Sequence, residues 1–545
     1  MSYLILSLLL VWLFAFISYL MLKKKKKKAI KKIQEDWGKQ KNDYRNFDLI
    51  ESYSEKNTTA NFHKLNAQTK NDIDFKELFS FLDRTNSKPG QQYFFDKLSN
   101  PTNNLAALKE FDNQVNFFIE NKTERENAQF LLSQLNNGDA CYIAALLNED
   151  SVQKPLYAKL YLLDTLVVII MLLASIKFPV LLIWLLLPLM LNVALHYKNK
   201  KNINRYLISF PQLNILINVS KSFLKFNIPF NATETKQSIS ALAGFKRKFS
   251  MLNFGNYGDN EIVQFFLILL EFIKIIFLIE IHSFYSIIKK IQNKKNDIDG
   301  LIKYIGSIDA ALSVASLRMG ADKFSIPIFT ETKKELKIEN VYHPLIENCV
   351  SNSIAVNNKS ILVTGSNMSG KSTFIRAVII NSILSQTIYT CFADSFETPF
   401  LKVLSSIRIE DNLLEGSSYY FKEVNAIGTL ITESQKPLQH LFILDEVFKG
   451  TNTIERVAAA KAILSYLNKN DNIVFVSSHD IELVSLLQAE YDLYHFVEDI
   501  SNDELVFDHK IKQGELKSRN AIKILQLSNY PQEIVDEANN LTSKN

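Results

Sequence analysis

Two short segments carry the residue types that phosphate chemistry needs. Residues 365–372 read GSNMSGKS and fit the pattern GxxxxGK[ST]. Glycines at both ends of such a loop let the backbone wrap closely around phosphates, and the helix it opens offers unpaired N–H groups to an anion. Gly365, Ser366, Asn367, Met368, Ser369, Gly370, Lys371, Ser372 and Thr373 are therefore the candidate nucleotide-binding residues. Within them Lys371 is placed to bridge the β- and γ-phosphates, and the Ser372 hydroxyl to ligate Mg2+. The second segment, residues 441–446, reads LFILDE, an apolar run that ends in two carboxylates. Asp445 would hold Mg2+ through water, and Glu446 would polarise the attacking water. An unpaired carboxylate at the tip of a buried strand is costly, and a nucleotide-bound Mg2+ supplies the cation that offsets it. His479 follows a third apolar run, residues 473–477, where a side chain can sense the γ-phosphate. ATP and Mg2+ are thus the expected ligands. The other histidines show no metal-ligand spacing, so no zinc site is expected.

These residues need a sheet to hold them. From residue 337 onward, short β-branched runs at 360–363, 441–444 and 472–476 alternate with helical patterns, one of them at 373–384 directly after the loop. Such alternation implies an α/β P-loop NTPase domain, a parallel sheet flanked by helices. It is expected over residues 331–545, with a C-terminal helical tail. The chain ahead of it reads as mostly helical, in two parts, 29–157 and 198–330, separated by an apolar hairpin at 158–197.

The chain has 545 residues, enough for about three or four domains. Apolar residues make up 47% and charged residues 22%, which excludes wholesale disorder. The net charge of +5 is local in origin: six lysines occupy residues 23–28, and without them the balance falls to −1. A balance this small does not itself mark a nucleic-acid binder. Cys141, Cys349 and Cys391 are odd in number and far apart, so reduced thiols are expected and no disulfide framework follows.

Residues 3–22 are apolar apart from Ser and Tyr, and the lysine run follows at once. About twenty such residues span a bilayer's hydrocarbon core as a helix. The charge follows the apolar stretch, whereas a cleaved signal peptide carries it in front, so an uncleaved anchor over residues 1–28 is expected. The lysines would stay on the cytoplasmic side, against anionic lipid headgroups. A second apolar block, residues 160–195, is long enough for two short spans broken at 177–179, with lysines on both flanks; a buried helical hairpin is the alternative. A third stretch, 262–288, carries Glu271, Lys274, Glu280 and His282 at helical spacing and reads as a long amphipathic core helix instead of a span. Together these lead to the expectation of a multi-pass membrane protein with its P-loop domain on the cytoplasmic side.

The motif residues resemble the ATPase domain of the MutS DNA mismatch-repair family. TGSNMSGKST at 364–373 resembles the family's TGPNMGGKST, with Ser366 in place of proline, and DEVFKGTNT at 445–453 resembles DEIGRGTST. EGSSYYFKE at 415–423 is similar to SGRSTFMVEM, which puts the family's trans-acting signature serine at Ser418. His479 falls on the family's histidine after the next strand, Asn352 matches the asparagine beside the adenine, and HPL at 343–345 resembles the segment that opens the domain. Upstream, residues 78–101 are similar to the start of the family's helical core. The likeness covers residues 72–125 and about 290–540. It implies an ABC-type ATPase preceded by a MutS-core-like region, working as a homodimer with composite ATP sites in which Ser418 reaches across to the partner's γ-phosphate. It also implies double-stranded DNA as a partner, by family resemblance alone.

The sequence departs from the family too. A mismatch-reading domain carries a Phe-x-Glu wedge, and the segment between the lysine run and residue 72 is too short for one; Phe75-Lys-Glu77 and Phe496-Val-Glu498 fit the pattern in the wrong context. Membrane spans are foreign to soluble mismatch sensors, so the resemblance is to membrane-anchored MutS-related proteins. Two other functions stay open. An ATPase of a membrane transport or remodelling assembly would carry an LSGGQ-type signature, where this chain has LEGSS at 414–418. A non-catalytic scaffold would have no need of an intact Lys371, Ser372, Asp445 and Glu446.

Overall fold

The computed structural model describes residues 2–56, 62–147, 158–245, 268, 270, 272–366, 369–408, 419–448, 452–501, 504–516 and 530–542. The chain divides into two compact units, each built from separated segments.

The first unit comprises Met1–Thr59, Asp83–Asp96 and Asn113–Gly320 and is helical. Its core is the helix Lys295–Gly320, buried along most of its length. That helix is apolar and long enough to cross a membrane, but 83% of its apolar window is buried, which makes it a core element. Inside it, Asp309 accepts hydrogen bonds from Asn86 N (2.8 Å), Ser87 N (2.8 Å) and Ser87 Oγ (2.6 Å), fixing the turn that follows Asp83. Asp83 itself accepts from Thr85 Oγ1 and Gln91 Nε2 and pairs with Arg45.

The apolar hairpin has the expected break but a longer second leg. Helix Ala158–Ser175 leads into a turn, and after Leu181–Trp184 a helix runs unbroken from Leu186 to Phe223, through the lysines expected to end the leg. The hairpin is not a buried one. Only 17% of its apolar window 181–198 is covered, and Leu163, Ile170, Leu173, Ile183 and Leu187 all stand exposed. The N-terminal helix Ser2–Asp36 likewise continues straight through the lysine run, whose side chains are exposed.

The third apolar stretch differs from expectation. Residues 262–267, 269 and 271 lie outside the described residues; beyond them the helix is interrupted at Leu278, whose φ is +48°, and resumes as Ile279–Gln292. A left-handed residue cannot continue a right-handed helix, and it leaves carbonyls without intrahelical donors. Asn192 Nδ2 takes the Ile276 carbonyl (2.7 Å) and Thr165 Oγ1 the Phe277 carbonyl (3.4 Å), so two polar residues of the hairpin cap the break. His282 bonds to the same Thr165 hydroxyl (3.0 Å).

The second unit comprises Ala60–Leu82, Lys97–Asp112 and Ala321–Asn545. Two stretches expected to belong to the helical region, 60–82 and 97–112, therefore lie with the sheet. The strands are β1 (Ile328–Phe329), β2 (Glu335–Val341), β3 (Asn352–Asn357), β4 (Ser360–Thr364), β5 (Ser395–Thr398), β6 (Lys402–Ser406), β7 (His440–Asp445), β8 (Ile473–Ser478), β9 (Tyr491–His495), β10 (Glu498–Ser501), β11 (Glu504–Phe507) and β12 (Lys512–Gln513). The main sheet has the order β12-β9-β4-β8-β7-β6, parallel except at β12. Strands β4 and β8 are buried at every residue, the mark of a parallel sheet covered on both faces. A smaller sheet, β1-β5-β2-β3, and the hairpin β10-β11 complete the unit.

Helix Ala67–Asp72, N-capped by Asn66, ends in a carboxylate that ties down the exit of β6. Asp72 accepts from Ser405 Oγ (2.7 Å), Ile407 N (3.1 Å) and Arg408 N (2.8 Å). Cys141 and Cys391 are buried and Cys349 half-buried, all three as free thiols.

Candidate functional site

Register brings the chemistry together. Asp445 at the end of β7 lies opposite Ser477 of β8, and Ser478 lies opposite Thr364 of β4. The carboxyl ends of three adjacent parallel strands therefore deliver residues 445–446, 477–479 and 364–372 to one edge, the usual ligand-binding edge of such sheets.

Gly365 leaves β4 with φ +143°, and a Cβ there would lie 2.6 Å from the Phe496 carbonyl oxygen, so only glycine fits. Gly370, also at positive φ, precedes the helix Lys371–Ser385. Asn367 and Met368 lie outside the described residues. The buried Lys371 ammonium bridges the loop, donating to the carbonyls of Gly365 (2.8 Å) and Ser366 (2.7 Å). Ser366, which stands where the resembled motif has proline, donates to Glu498 (2.6 Å), and Ser369 Oγ closes back on the Ser366 carbonyl (2.8 Å).

Ser372 Oγ donates to Asp445 Oδ2 at 2.8 Å, while Ser477 Oγ holds the other Asp445 oxygen. A hydroxyl and a carboxylate, both hard oxygen donors, thus face each other beside the phosphate loop, a donor set that suits Mg2+. Next in sequence, Glu446 sits at φ +55° with its N–H on the Ser477 carbonyl (3.0 Å). Its carboxylate pairs with His479 Nε2 at 2.7 Å, and the same nitrogen lies 3.5 Å from Lys371 Nζ. The structure therefore gathers Lys371, Ser372, Asp445, Glu446 and His479 in one cluster. Ser418 lies outside the described residues, as do 449–451; the helix Tyr419–Ser434 begins immediately after Ser418.

A pocket of about 510 Å³ extends from the loop. Ser366, Gly370, Lys371, Ser372 and Glu446 line it together with Tyr342, His343, Ile346, Cys349, Phe374 and His509. That volume and lining, charged groups for phosphates and aromatic ones for a base, suit a nucleotide. His343 is buried beside Arg376, and burial first, then that guanidinium, holds its imidazole down to about 4, so it is neutral. Asn352 lines the pocket, but its amide is engaged: it donates to the carbonyls of Val350 (3.3 Å) and His509 (3.0 Å) and accepts from Ile511 N (2.9 Å). It clamps the segment that carries His509, whose ring Nδ1–H donates to the Ser369 carbonyl (3.1 Å).

Sequence reasoning missed Tyr342, Ile346, Cys349 and His509, because residues 341–350 and 509 meet only through the fold. It did single out Phe496 and Glu498, as a mis-placed wedge pattern. Here Phe496 is a wall: its N–H bonds the Thr364 carbonyl (2.9 Å) and its ring packs on Phe374, while Glu498 anchors Ser366.

Comparison with known proteins reaches the same residues. Residues 361–544 match the MutS domain V model. Over those residues the chain is similar to domain V of the MutS family. It is 27% identical over 323 residues to the DNA mismatch repair protein MutS of Petrotoga mobilis, covering 56% of this chain and 39% of that one. To the protein of the same name from Staphylococcus haemolyticus it is 31% identical over 255 residues, 43% of this chain and 28% of that one. The Bacillus cereus counterpart gives 27% over 320 residues, 56% of this chain and 35% of that one. The chain thus spans less than two-fifths of the length of these MutS relatives. The domain V match begins within β4 and takes in every residue of the cluster.

Proposed function

We propose that this chain is a membrane-anchored, MutS-like ATPase that works as a homodimer and couples ATP binding and hydrolysis to the handling of DNA. The observation that carries the reading is the cluster of Lys371, Ser372, Asp445, Glu446 and His479 at one sheet edge, beside a pocket of nucleotide size.

ATP enters with its phosphates toward Lys371, which exchanges the Gly365 and Ser366 carbonyls for phosphate oxygens. Loop and helix N–H groups take the remaining phosphate charge. Ser372 and Asp445 would hold Mg2+, which would supply neutralisation of phosphate charge. Glu446 would orient and deprotonate the attacking water, and His479, hydrogen-bonded to it, would sense the γ-phosphate. Ser418 of each protomer completes its partner's site, so closure of the dimer depends on ATP.

The membrane part of the proposal rests on the exposed apolar hairpin and on the helix that runs into exposed lysines 23–28. A surface this apolar marks a membrane or partner contact, and the lysines suit anionic lipid on the cytoplasmic face of a bacterial membrane. Phosphate release by detergent-purified chain, with and without duplex, mismatched and branched DNA, tests the whole. Stimulation by DNA is expected. Hydrolysis indifferent to every DNA would move the hairpin to the fore and favour a transport or membrane-remodelling ATPase, and no hydrolysis at all would leave a scaffold.

A further inference from the structure

Glu423 lies in the second turn of helix Tyr419–Ser434 and is 3% exposed. Its carboxylate Oε1 accepts from the backbone N–H of Phe448 at 2.5 Å. That bond lands on an uncommon piece of backbone: within three residues, Glu446 and Phe448 both hold positive φ, +55° and +62°. Non-glycine residues persist there only where surrounding contacts over-determine them. The Ser477 carbonyl fixes one end of the turn through Glu446 N, and Glu423 fixes the other through Phe448 N. Tyr420, on the same helix, packs its ring on Phe448 at 5.6 Å. Glu423 also borders a small cavity together with Ile427, Asp445, Glu446 and Val447.

We propose that Glu423 is a positioning residue for Glu446: it holds the 446–448 turn in the conformation that aims the general base. The inference rests on the ATPase reading above.

The test compares Glu423→Leu and Glu423→Gln in the full-length chain, measuring kcat, KM for ATP and binding of a fluorescent ATP analogue. Leucine removes the acceptor, and a hydrogen bond to a charged group corresponds to about ten- to hundredfold in rate. Glu423→Leu is expected to lower kcat by that factor while KM and analogue affinity stay within about threefold, since Lys371 and its loop are untouched. Glutamine keeps an oxygen at the same reach and is expected to restore most of kcat. Wild-type kcat in Glu423→Leu overturns the proposal, as does Glu423→Gln failing as badly as leucine with an unchanged melting temperature. Parallel loss of kcat, analogue affinity and melting temperature also overturns it, since that pattern means a merely structural role. A wild-type chain that binds the analogue without hydrolysing it refutes the ATPase reading itself, and is distinguished from these outcomes by the unmutated control.

Discussion

Replacing Gly365 by alanine perturbs the site at the point where the loop leaves β4. The new Cβ would lie 2.6 Å from the carbonyl oxygen of Phe496 and 3.3 Å from its carbon, with φ at +143°. Phe496 cannot withdraw, because it is 1% exposed, its N–H is bonded to Thr364 and its ring is packed on Phe374. The loop must move instead, and Lys371 then loses its two carbonyl anchors. Holding a non-glycine residue in that region costs about 1–3 kcal/mol, which as lost affinity is about five- to hundredfold. Gly428 is the internal control: it lies exposed inside helix Tyr419–Ser434 with nothing within 4 Å of an added Cβ. Gly428→Ala should stabilise by up to about 1 kcal/mol through helix propensity and leave nucleotide affinity alone. Titration with a fluorescent ATP analogue and thermal melting read both variants. Gly365→Ala binding ATP as tightly as the wild type, with an unshifted melting curve, would refute the argument for a closed glycine turn.

Three further outcomes are expected. Glu446→Gln should keep ATP bound but lower single-turnover hydrolysis by at least about a hundredfold; rapid cleavage would reject it as the base. His63 and His343 of the sheet unit and Asp309 of the helical unit should respond to acid in opposite directions. In the sheet unit, burial holds His63 and His343 down to about 4, so the stability of their neutral forms is full above about pH 6.5 and is lost toward pH 4, up to about 3 kcal/mol each. In the helical unit, burial pushes Asp309 up to about 6, so stability it contributes is full below about pH 4 and is lost as pH rises through 6. Hydrogen exchange at pH 7 and pH 5 should show β6 losing protection while helix Lys295–Gly320 does not; parallel loss in both would contradict the assignment. Finally, a hydrophobic photolabel in vesicles should mark the exposed Ile170 and Leu187 and spare the buried Val168 and Asn192, whereas labelling of none would remove the hairpin from the bilayer.

Much of the site was legible because its chemistry is local. A loop such as residues 365–372 must follow a strand and open a helix to work, and the continuous apolar runs of β4, β7 and β8 are what a strand buried on both faces requires. The apolar hairpin was legible for the same reason, through length and a break at Pro179. What escaped was non-local or a matter of single dihedrals. Residues 60–82 and 97–112 carry helical patterns that say nothing about which unit they join; Asp72 reaches the exit of β6 only through the fold. The pocket draws on residues 341–350 and on His509, more than 150 positions apart. Nothing in the local pattern marks Leu278 as left-handed, and the lysines after 197 read as an end to the second leg when helix propensity carries it on to Phe223.

The central claim is that the turn at 365–372 grips a triphosphate through Lys371. Equilibrium binding of Mg-ATP to the detergent-solubilised chain, wild type against Lys371→Ala, tests it most directly. Saturable binding by the wild type, abolished or weakened at least about tenfold in the variant, is the result this account requires; a wild type that binds no nucleotide, or a variant that binds as well as the wild type, contradicts it.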